Sequence, residues 1–93
     1  MKMVYLVRWS FHEEFNGDVQ KMSEGLLLAV EWAVLQAHID THHTVGGQFS
    51  WVCAKPEAML VEEALWARLV HDQGSSLVRL DALPDGFSPA PER

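Results

Sequence analysis

The chain is 93 residues long, 48% hydrophobic and acidic, with thirteen Asp and Glu against seven Lys and Arg for a formal charge of −6. That length holds one domain, and so small a chain buries only about 60–65% of the surface its unfolded form exposes, which favours a partner. The basic residues are scattered, which argues against nucleic acid and anionic membrane as partners, and a single cysteine excludes an internal disulfide.

The N-terminal stretch MKMVYLVRWS is interrupted by Arg8 and lacks a cleavage pattern. Met3 to Phe11 predicts a strand, apolar on both faces at its start and so covered on both sides. His12 to Asp18 reads as a loop, with Asn16-Gly17 as its turn signal and Asp18 as a helix cap. Val19 to Ala37 then predicts a helix whose polar positions Glu24, Glu31 and His38 form one narrow stripe. A helix apolar nearly all round is either deeply buried or touches another subunit, and the small chain favours the subunit. Its apolar run is too short to span a bilayer, so the expectation is a soluble cytoplasmic protein.

Val45-Gly46-Gly47-Gln48 predicts a two-residue hairpin, because such turns need positive φ angles. A second helix is expected from about Pro56 to Asp72, with Pro at its first position, Glu57 at the positive end of its dipole, and Gly74 as its stop. Ser76 to Leu83 alternates as a last strand, and residues 84–93 form a flexible Pro-rich tail. The order predicts a ferredoxin-like βαββαβ domain over residues 1–83, a four-stranded antiparallel sheet with two helices on one face. The chain has no element left to cover the other face.

Three histidines, His38, His42 and His43, lie within six positions at the predicted hairpin. If Gly46 and Gly47 form its loop, His42 falls opposite Trp51 and Asp40 opposite Cys53, with His38 further along the same face. His43 points the other way, opposite Ser50. That group offers zinc ligands, or a Cys53 activated by His42. Ordinary hairpin packing is preferred, since neighbouring strand positions set side chains in parallel, whereas tetrahedral ligation needs them to converge. An acid/base role for a histidine in an apolar pocket fits better than a metal, because its charge changes near neutral pH. His12-Glu13-Glu14 is a second acid/base candidate, for which a solvated loop is preferred, and His71 suits a helix C-terminus. Tyr5, Trp9, Phe49, Trp51 and Trp66 serve as core or as pocket walls. There is no phosphate loop, nucleophile elbow or paired-cysteine motif, and no cofactor or metal is expected.

The order of elements, the apolar N-terminal strand and the segment GGQFSWVCAKPEAMLVEEALW resemble the dimeric α+β barrel superfamily, and within it the muconolactone isomerase-like small proteins. The resemblance implies a homodimer whose two sheets pack face to face, with pockets between sheet and helices or at the subunit boundary. It also implies isomerase, cyclase or cofactor-free monooxygenase chemistry on apolar small molecules. The haem-degrading branch uses an Asn on the first strand, a Trp and a helix His; Trp51 or Trp66 and His71 compare, but Met3 to Phe11 holds no Asn.

The functional expectation is a small homodimeric enzyme, or enzyme-like binder, for an apolar organic molecule. His42 is its proton carrier, Asp40 the orienting partner, and Trp51, Tyr5, Trp9, Phe49 and Cys53 the pocket. The competing expectation is a non-enzymatic module that docks a partner through its apolar first helix and acidic surface.

Overall fold

Asn16 and Gly17 take positive φ angles of 51° and 84°, the combination that a two-residue type I′ hairpin turn requires. In a computed structural model, which describes residues 1–42 and 48–91, this turn joins β1 (Lys2–Phe15) to β2 (Asp18–Ala29) in a long antiparallel hairpin. The register runs from Tyr5 opposite Ala29 to Phe15 opposite Asp18. It shifts between Phe11 and His12, leaving Met22 without an opposite residue, as a β-bulge does.

The other edge of β1 is shared by two short strands. β3 (Phe49–Cys53) pairs with Trp9 to Glu13 and β4 (Glu57–Val61) with Lys2 to Leu6. They form one interrupted strand, held at the break by the Ala54 N–H donating to the Arg8 carbonyl at 2.8 Å. Pro56, with no N–H to donate, falls in that break, where the ladder does not need one. β5 (Val78–Leu80) and β6 (Phe87–Pro89) extend the sheet at the outer edges of β2 and β4. The order is β5-β2-β1-β4-β6, with β3 also against β1.

Alternation along β1 divides the core in two. Val4 and Leu6 join Leu26, Leu28, Met59, Val61 and Val78 beneath Trp66 of α2 (Glu63–Gln73). Tyr5, Val7 and Trp9 join Leu27 and Ala29 against Leu35, Trp32 and Ile39 of α1 (Trp32–His42). Each face of the sheet therefore carries one helix. Leu6, Leu27, Leu28 and Leu35 are fully buried, each contributing about 1.5–3 kcal/mol relative to exposure. Gly74, in the left-handed conformation, ends α2 by donating to the Val70 and His71 carbonyls.

This architecture overturns the ferredoxin-like expectation. Val19 to Ala37 is not one helix: its first part is β2, and only from Trp32 does the chain turn helical. A strand buried on both faces is continuously apolar, as a buried helix is, so the Leu26-Leu27-Leu28 run does not separate them by periodicity. The Pro56–Asp72 helix likewise begins as β4, because Ala58 to Val61 complete the edge of β1. Among the described residues the sheet has six strands rather than four, and the helices lie on opposite faces rather than on one. Each of the two core clusters is covered by a helix of the same chain. The dimeric α+β barrel is excluded, and the homodimer, isomerase and monooxygenase expectations drawn from it lose their structural basis. Part of the expected tail, Phe87–Pro89, is a paired strand. Gly46-Gly47 lies outside the described residues, but β3 pairs with β1, and His38 to His42 belong to α1.

Trp9 faces Gly25 across the hairpin, and a Cβ on Gly25 would lie 2.8 Å from the Trp9 ring atom Cζ2. Gly25→Ala is therefore expected to push the indole off the sheet and lower stability by about 1–3 kcal/mol, read as a shifted denaturation midpoint with altered tryptophan fluorescence.

Candidate functional site

Positions four apart on a helix share a face, and the last turn of α1 uses this to stack His38 on His42, ring centroids 4.0 Å apart. His42 Nδ1 lies 2.9 Å from the His38 carbonyl. A carbonyl only accepts, so the neutral His42 ring carries its proton on Nδ1. Trp51 of β3 meets both rings, edge-on to His38 at 6.3 Å and tilted to His42 at 6.4 Å. Trp51 also packs beside Trp9 at 6.3 Å, and stands opposite Phe11 across the β1–β3 ladder. Phe11 in turn stacks on Phe49 at 5.9 Å.

Arg79 closes the group from β5. It pairs with Leu27, which places it on the α1 side of the sheet. The Gln73 side chain holds its backbone at both ends: Nε2 donates to the Arg79 carbonyl at 2.6 Å, and the Arg79 N–H donates to Oε1 at 3.0 Å. This amide takes the place of a neighbouring strand on an otherwise open edge. The guanidinium Nη2 then donates to His38 Nε2 at 3.2 Å, so the neutral His38 ring also carries its proton on Nδ1.

Together Trp9, Phe11, His38, His42, Trp51 and Arg79 line an open cleft of about 280 Å³. Burial lowers the His38 pKa from the ordinary histidine value, and the neighbouring His42 and Arg79 lower it further. His38 is therefore a neutral hydrogen-bond acceptor near pH 7, while Arg79 keeps its charge. A larger groove of about 860 Å³ lies along β4 and β6. There Arg8 is already bonded to Glu57 at 3.2 Å, and the walls are mainly alanine and proline. The aromatic cleft has the more specific chemistry.

The residues expected from sequence are only partly gathered. His38, His42, Trp9 and Trp51 meet at the cleft, through a helix packed on a sheet rather than across a hairpin. Phe49 reaches it only through Phe11. Asp40 sits two positions from each histidine, on the other side of α1, where its Oδ1 accepts from Gln36 Nε2 at 2.8 Å. It does not orient His42. Cys53 packs with the α1-side core, and burial raises its pKa, which leaves the thiol protonated near neutral pH. Tyr5 lies at the opposite end of α1, edge-on to Trp32 at 6.1 Å. His12 is bonded to the Ser10 hydroxyl at 2.8 Å on the other face of β1. Among the described residues no three His, Cys, Asp or Glu are grouped to hold a metal ion. Phe11 and Arg79 were missed; the signal for Phe11 was its alternation with Trp9, but nothing local marked Arg79.

No family model, curated protein or solved structure matches the chain. Among the described residues no helix is long and apolar enough to cross a membrane.

The lowered pKa of His38 makes its stability contribution pH-dependent. The unfolded chain takes up this proton more readily than the folded one, so the contribution is complete above the unfolded value of about 6.5 and is lost as pH falls toward the folded value. Histidine NMR titration is expected to place the His38 midpoint below the ordinary histidine value, and Arg79→Gln is expected to move it upward. Between about pH 8 and pH 5.5, the thermal midpoint of the wild-type chain is expected to fall more than that of His38→Gln.

Proposed function

We propose that this chain binds a small, flat aromatic molecule in the cleft between the end of α1 and the sheet. The observation that carries the reading is the convergence of Trp9, Phe11 and Trp51 on one open cleft, with two stacked imidazoles on its helix side. Aromatic faces half-exposed in a cleft offer a large contact area at little entropic cost, and the imidazoles supply polar groups that orient what binds. A volume of about 280 Å³ suits one or two fused rings.

Binding, rather than turnover, is the reading the geometry favours. The carboxylate that acid/base chemistry at His42 called for lies on the far side of α1, and the Cys53 thiol is protonated. His42 then serves as a wall and hydrogen-bonding group.

The test is an NMR titration with two probes of the same ring system, neutral naphthol and anionic naphthoate. At least one is expected to shift the indole N–H signals of Trp9 and Trp51 saturably, while those of Trp32 and Trp66 stay in place. Trp51→Leu is expected to weaken binding about ten-fold. Absence of saturable shifts with both probes would remove this function.

A further inference from the structure

The cleft has a charge opposite to that of the chain around it. Acidic residues outnumber basic ones by thirteen to seven, yet among the described residues the lining contains no carboxylate, and its permanently charged group is the Arg79 guanidinium. Among the described residues Arg79 forms no ion pair. Asp81, just beyond β5, lines a neighbouring depression with Arg79 and is not ion-paired to it. Asp40 is turned away to Gln36.

Arg79 is also held in position. Its backbone is bracketed by the Gln73 amide, and one guanidinium N–H is taken by His38. Being a neutral acceptor, His38 orients the guanidinium without neutralising its charge, and the remaining N–H donors are suited to the paired oxygens of a carboxylate.

We infer that the ligand of this cleft is an aromatic carboxylate, its ring lying against Trp9, Phe11 and Trp51 and its carboxylate bound by Arg79. This rests on the aromatic-binding reading above and adds the anionic group. The two parts act differently: ring contact depends on area and tolerates salt, whereas the guanidinium contact strengthens only the charged ligand and weakens as salt screens it.

Naphthoate is expected to bind the wild-type chain at least about ten-fold more tightly than naphthol at low salt. Arg79→Gln is expected to abolish that preference by weakening naphthoate more than naphthol, and Arg79→Lys to keep part of it. Raising the salt concentration should narrow the gap in the wild-type chain, a measurement that needs no variant to fold. Equal binding of the two probes, or a preference that survives Arg79→Gln, overturns the carboxylate inference and leaves the aromatic reading intact. If neither probe binds, both fall.

Discussion

β1 is hydrogen-bonded along both edges, and its first half buries side chains on both faces, Val4 and Leu6 on one and Val7 on the other; the position of the other elements follows from that. One edge takes β2, directed back by the Asn16-Gly17 turn, and the other takes β3 and β4 in succession. A central strand with both faces apolar needs a cover on each, so a single helix layer would have left one row of large side chains in water. The chain meets that need with two short helices. Each is anchored by one well-buried residue, Leu35 in α1 and Trp66 in α2.

The same constraint makes the cleft. β1 runs on past the buried Val7, and there Trp9 and Phe11 are only partly buried at the margin of the core, with Trp51 brought against Trp9 and opposite Phe11 by β3. α1 ends above them with a stacked pair of imidazoles, which cap the aromatic patch without sealing it. Gly25 allows the Trp9 ring to lie flat on β2, where any side chain would lift it. The cleft is thus the place where core packing gives way to the exposed end of a long hairpin.

Charge separates this cleft from the rest of the surface. Three exposed cations elsewhere have local partners: Arg8 with Glu57, Lys21 with Glu24, and Arg68 facing Asp72. Arg79 instead faces a histidine that its own field helps to keep neutral. The partnered ions are solvent-exposed and contribute little to stability. The Arg79–His38 contact matters for the direction in which it holds a positive charge.

Much of the local structure was legible in the residues alone. Met3 to Phe11 read as a two-sided strand, Gly74 as the stop of the second helix, and the histidines and Trp51 as neighbours of one another. Asn16-Gly17 also carried the hairpin that builds the fold, but the apolar run after it suits a buried helix as well as a two-sided strand. Only pairing with β1 decided that Asp18–Ala29 is a strand, that Ala58 to Val61 belong to the sheet before α2 starts, and that the helices take opposite faces. Tertiary structure alone brought Arg79 to His38, 41 residues apart in the chain. The physical reason is the same throughout: alternation and apolarity report that a segment is buried, while its partner is set by backbone hydrogen bonds to strands far away in sequence.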